Sequence, residues 1–218
     1  MSKISNYKRT IFSWSMYDFA NQPFTTITVT FIYSAFFAQF IFGNIVDGTT
    51  AWGLAVTISS IIIALLSPIM GAIADSGGYR KIFLVFWTWV CIVFSFLLYY
   101  PEKGDVFTAL LFFCIANIGF EMGGVFLNSY LPEIAPKNKI GRISGYGWSF
   151  GYVGGLLALI ICLLLFINPQ NPINPITGVE LNLEKGENYR IINIFIAMWF
   201  AVFSLPTFIF VKDSKKSK

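Results

Sequence analysis

The sequence predicts an all-α membrane protein built as a bundle of six transmembrane helices, and three observations lead there. Of the 218 residues 56% are hydrophobic and only 12% charged, a balance foreign to water-soluble domains of this size. The apolar residues gather in runs of about twenty, the length a helix needs to cross a hydrocarbon layer about 30 Å thick. The Lys and Arg residues fall into alternate connections between those runs, the pattern of a chain threaded repeatedly through a bilayer.

Six windows qualify as spans, at residues 11–42, 52–74, 82–100, 106–128, 143–167 and 191–211. The first is too long for one straight crossing, so it tilts, breaks or begins with an interfacial stretch. Basic residues before this window resemble a secretory signal, but Trp14, Asp18 and Asn21 interrupt the run and no small-residue cleavage site follows, which predicts an uncleaved helix. The longest connection, 168–190, carries Pro169, Pro172 and Pro175 and reads as an outward loop with little regular structure. The other connections are short, so sequential helices are expected to be neighbours within a single domain, 1–218.

One set of connections holds Lys3, Lys8, Arg9, Arg80, Lys81, Lys137, Lys139, Arg142, Lys212, Lys215, Lys216 and Lys218, and the other holds only Lys103, Lys185 and Arg190. Basic residues resist translocation, so the first set and both termini are expected in the cytoplasm, with the protein in the inner or plasma membrane. The net charge of +4 then follows from topology and from contact with anionic headgroups, and implies no nucleic-acid partner. Cys91, Cys114 and Cys162 all lie within spans, without metal-type spacing, so neither a disulfide nor a metal site is expected, and no cofactor is implied. The absence of histidine excludes His-based catalysis, and no protease-type serine or aspartate arrangement is visible, so no enzyme is expected.

Split three plus three, the first helices of the two triplets run in opposite directions, as in inverted-repeat transporters. Each carries an intramembrane carboxylate, Asp18 in the first and Glu121 in the fourth, together with helix-loosening residues: Pro23 in one, and Gly119, Gly123 and Gly124 in the other. Breaks in these two helices are expected at those positions. Asp18 lies about 13 Å along the first helix from Arg9, and Glu121 about 22 Å along the fourth from Val106, so both reach the middle to inner half of the membrane.

Asn117, Glu121, Gly124 and Asn128 make one polar stripe at helical spacing, and Asp18, Asn21, Thr25 and Thr28 make another. A carboxylate facing lipid costs at least about 2.5 kcal/mol, so both stripes turn to protein or water. Two readings stay open: a shared cavity in which Asp18, Asn21, Thr25, Asn117, Glu121 and Asn128 meet a solute and its proton, or simple hydrogen bonding of the carboxyls to neighbouring helices.

Between the second and third spans stand Gly71, Asp75, Gly78, Arg80 and Lys81, read as a tight polar turn in which Asp75 accepts bonds from the first amides of the third helix. This spacing resembles the signature of the major facilitator superfamily. Trp14, Tyr17, Asp18 and Asn21, then Tyr130, Pro132, Glu133 and Pro136, and the run from Gly141 and Arg142 through Gly147, Trp148, Gly151, Gly154 and Gly155 are similar to the branch of vacuolar, autophagy-related amino-acid effluxers and their bacterial relatives.

The resemblance spans the chain but covers only the first half of a twelve-helix architecture. It implies a half major facilitator fold, a 3+3 inverted repeat with helices 1 and 4 lining the cavity, and a cytoplasmic gating role for the turn around Asp75. It further implies secondary transport of a small polar solute such as an amino acid, completed by a second six-helix half, either another copy or a separate chain. Gly147, Gly151 and Gly155 offer a smooth face for packing, either on that other half or within this one. The rival expectation is a non-transporting membrane fragment or partner-binding module.

Overall fold

The computed structural model describes residues 2–167, 173, 178 and 180–213, with the side chains of 2–6 and 75–77 outside the description. Among the described residues there are six helices long and apolar enough to cross a membrane. The first, α1, is regular over Ser2–Pro23, continues as a wide-turn π-helix over Phe24–Phe31, makes one α-turn at Tyr33–Phe36 and ends in a second wide segment, Phe37–Ile41. The others are α2 (Ile45–Gly77), α3 (Arg80–Leu97), α4 (Val106–Ser129), α5 (Ile140–Leu165) and α6 (Glu187–Phe210). Of the long connection, the prolines at 169, 172 and 175 lie outside the described residues; Ile173 and Glu180 form an isolated antiparallel bridge.

Several helices begin before their apolar windows because polar residues start them. Asn44 caps α2, its side chain accepting from the Val46 and Asp47 amides. Arg190, expected in a loop, stands in the first turn of α6, and its guanidinium donates to the Tyr99 and Tyr100 carbonyls and pairs with Glu102 at 3.3 Å. Asp75, expected in a turn, belongs to the last turns of α2, which ends only where Gly78 takes a left-handed conformation (φ +69) and its amide returns to the Ala74 carbonyl. The side chain of Asp75 lies outside the description.

Chain adjacency does not set the packing. α1 packs along α5 and α6, α4 packs along α2 and α3, and α3 packs along α6, while the consecutive pair α2 and α3 meets only slightly. The expectation of sequential neighbours therefore fails except for α3 and α4 and for the end of α1, Tyr33–Ile41, which packs on the first turns of α2. Exchanging the two triplets (1 with 4, 2 with 5, 3 with 6) maps the α1–α5, α1–α6, α2–α4, α3–α4 and α3–α6 pairings onto one another. That is the arrangement of a 3+3 repeat, since each first helix packs against the second and third members of the other triplet.

Small residues decide which faces meet. A Cβ on Gly154 would collide with the Phe19 backbone, one on Gly147 would lie 2.5 Å from the Asp18 carboxylate, and one on Gly155 would lie 2.7 Å from Thr26 Oγ1. The glycine face of α5 is thus spent on α1 inside this bundle and is not presented outward. Outward-facing positions of α2 and α5 are instead large and apolar, among them Leu54, Ile58, Leu65, Leu156 and Leu164. An integral membrane protein exposes such residues to lipid at little cost.

Candidate functional site

Where α1 and α4 approach each other, Gly123 leaves room for the Tyr17 ring, whose hydroxyl bonds Thr88 Oγ1 of α3 at 2.6 Å. The Trp14 indole N–H donates to the Leu127 carbonyl at 2.9 Å, and Phe24 packs on Phe120 with ring centroids 5.4 Å apart. These contacts clamp the back of the two helices together. In front of the clamp is a cavity of about 330 Å³, whose polar lining is Asp18, Asn21, Gln22 and Thr25 from α1 with Glu121 and Asn128 from α4. Gly124 keeps the α4 wall open, with nothing within 4 Å of where its Cβ would stand, and Phe120 and Trp148 complete the wall.

Asp18, Asn21, Gln22 and Thr25 sit at i, i+3, i+4 and i+7, so one helical face delivers all four. Neither the Asp18 nor the Glu121 carboxyl has a hydrogen-bond or ion-pair partner among the described residues, and Thr25 Oγ1 is buried without one. The arrangement offers two acceptor carboxyls, three amides and a hydroxyl to a small polar guest.

Two members of the expected stripes do structural work elsewhere. Asn117 does not reach the cavity: it is buried and donates through Nδ2 to Ser59 Oγ of α2 at 2.8 Å. Thr28 is buried and donates to Asn193 Oδ1 of α6 at 3.2 Å. Both lie deeper toward the neighbouring helices because a stripe on a straight wheel drifts out of register where α1 widens into its π-segment, and because α2 leans on α4. Gln22 escaped the sequence reading although it stands one turn from Asp18, and Trp148 entered it only as part of the run around Gly147, not as a cavity residue.

The expected helix breaks divide unevenly. In α1, Pro23 lacks the amide that would bond the Phe19 carbonyl, and the Trp199 indole N–H of α6 donates there instead, at 3.2 Å. α4, by contrast, is continuous: a Cβ on Gly119 would lie 2.7 Å from the Cys91 amide nitrogen, so this glycine serves close approach to α3 rather than a break.

At the end of the bundle carrying most of the basic residues, Arg80 pairs with Glu133 just beyond α4. The Tyr130 hydroxyl donates to Asp213 beyond α6, and the Lys81 amide reaches the same carboxylate at 3.5 Å. Arg80 and Lys81 thereby tie the α2–α3 turn to the ends of α4 and α6. Gly71 has open space around it.

A membrane bundle of two interlocked three-helix units, with its polar cavity between their first helices, defines one half of a major facilitator fold. Within that class the chain belongs to the family described as "Vacuole effluxer Atg22 like", whose profile matches residues 40–141 and 137–218. It is 27% identical over 198 residues to a protein of Bacillus subtilis (strain 168) named "Uncharacterized MFS-type transporter YxiO", an alignment covering 89% of this chain and 44% of the relative. It is 35% identical over 137 residues to an "Uncharacterized protein" of Aquifex aeolicus (strain VF5), covering 62% of this chain and 34% of the relative. The chain thus spans less than half the length of these curated relatives. No solved structure matches.

Proposed function

We propose that this bundle is one half of a secondary-active transporter that carries a small polar solute, of the amino-acid class, with a proton as the coupled ion. The observation that carries the reading is the cavity between α1 and α4, where Asp18 and Glu121 stand without partners beside Asn21, Gln22, Thr25 and Asn128. A zwitterion fits such a lining: an ammonium group pairs with a carboxylate, and amides and a hydroxyl receive the opposite end. A carboxyl left unpaired in a membrane cavity is also the group that takes up and releases a proton during a transport cycle. The family description, which names an effluxer, supports export as the direction.

In this proposal a second six-helix half, either another copy or a separate chain, covers the open side of the cavity. The end bearing Arg80, Lys139 and Arg142 faces the cytoplasm, and the protein sits in the inner or plasma membrane. The Arg80–Glu133 and Lys81–Asp213 contacts then hold the α2–α3 turn as a cytoplasmic gate.

The test is solute flux into vesicles containing the assembled transporter, with and without a pH gradient. Glu121→Gln and Asp18→Asn each keep side-chain size and remove the proton site; each is expected to lower gradient-driven flux by at least about tenfold, the scale of one lost charged contact. Wild-type flux in both variants, with normal helicity, defeats the reading.

A further inference from the structure

We propose that the outer groove between α1 and α5, at the basic end of the bundle, is a binding site for an anionic phospholipid. The groove encloses about 350 Å³ and is distinct from the polar cavity. Successive residues of a helix are turned by about 100°, so Tyr146 and Trp148 flank the Gly147 seam on opposite sides. Trp148 lines the polar cavity and Tyr146 lines this groove, which therefore opens away from the transport site.

Three features of the groove ask for an anion. Lys8, Lys139 and Arg142 all line it, with no carboxylate among the lining residues and no ion pair to any of the three among the described residues. α5 starts at Ile140 with no acidic residue in its first turn and no side-chain cap, so the positive end of the helix dipole adds to these cations where helices ordinarily place an acid. Ser15 lines the groove, is 2% exposed, and its Oγ is buried without a hydrogen-bond partner. An unpaired buried hydroxyl is uncommon, and this one belongs to a residue of the groove's own wall.

The remaining lining identifies an amphiphile. Phe12 and Phe150 meet edge to face at 5.8 Å and form an apolar wall running toward the membrane centre. Tyr7 stands at the level where span α1 emerges, the depth tyrosines favour beside headgroups, and Tyr146 lines the groove further along α5. A phosphate at the cations with its acyl chain along the phenylalanines uses both halves of the groove, whereas inorganic phosphate uses one.

The experiment measures lipid retention by native mass spectrometry of the purified chain released from bicelles of phosphatidylglycerol and phosphatidylcholine. Retention of phosphatidylglycerol is expected to exceed that of phosphatidylcholine by about tenfold. Lys139→Gln with Arg142→Gln is expected to erase the preference, while Lys137→Gln with Lys212→Gln, which removes the same charge from the same end but outside the groove, leaves it intact. Tyr146→Glu, an exposed position, supplies an independent variant that repels the phosphate without removing any cation. Equal retention of the two lipids, or equal loss in both double variants, overturns the proposal. So does displacement of the lipid by millimolar inorganic phosphate, which would make free phosphate the ligand.

Discussion

α1 and α4 are counterparts in the two triplets, each bringing a carboxyl to the same cavity, yet one widens past a proline while the other runs unbroken. In α1 the proline opens the ladder at Phe19, and a neighbouring helix supplies the missing donor. In α4 three glycines leave the ladder whole: Gly119 and Gly123 receive α3 and Tyr17, and Gly124 keeps the cavity open. Proline and glycine are both helix-weakening in water, but in this bundle they serve opposite ends, since proline removes a main-chain bond whereas glycine removes only a side chain.

The largest expected effect comes from filling an α4 glycine. Gly119→Leu places its Cβ against the main chain of α3, at Cys91 and Trp87, which has no flexible end to move. A loss of about 3 kcal/mol in detergent-based unfolding is expected. A variant as stable as wild type would mean that α3 and α4 are not in close contact there.

Next is the donor that mends α1. Trp199→Phe keeps an aromatic ring against Phe19 and Phe203 but leaves the Phe19 carbonyl bare, at a cost of about 1.5 kcal/mol. In a Pro23→Ala background residue 23 regains its amide, so the same substitution is expected to cost about 1 kcal/mol less; additive behaviour in the double-mutant cycle would refute the substitution of one donor for the other.

A smaller loss, about 1 kcal/mol, is expected of Thr28→Val, which deletes the bond to Asn193 without altering volume much. The smallest is Gly124→Ala, where open space surrounds the new methyl group: stability within about 0.5 kcal/mol of wild type or slightly above it, because alanine is the better helix former. If thermal unfolding showed Gly124→Ala to be as damaging as Gly119→Leu, the division of labour among the α4 glycines would be wrong.

The membrane class, the six spans and the carboxyl-bearing pair were legible because each is written in local chemistry: apolar run length, charge placement and helical spacing. Packing partners were not. Nothing local to Gly147, Gly151 or Gly155 says whether their shared face meets α1 or a separate half; the match to the Phe19 and Asp18 surface is visible only in three dimensions. The same holds for Asn117, whose spacing from Glu121 is that of a cavity residue but whose amide is claimed by Ser59 across the helix. Asp75 was read as a turn residue because Gly77 and Gly78 follow it, yet α2 persists until Gly78 adopts positive φ. Gln22 was absent from the stripe and Trp148 stood only in a motif run, although a cavity wall is built from whatever side chains flank the charges.

The indole of Trp199 has a mechanical meaning beyond the energy of one bond. Since the Phe19 carbonyl is held from α6, the one ladder bond that Pro23 removes from α1 is replaced from outside the helix. The lower segment, with Asp18, is fastened to α6 through this indole, and the upper segment, with Thr25, is fastened to the same helix separately, through Thr28 and Asn193. The proline thus stands between two residues that line the same pocket, with each side of it pinned to one neighbouring helix.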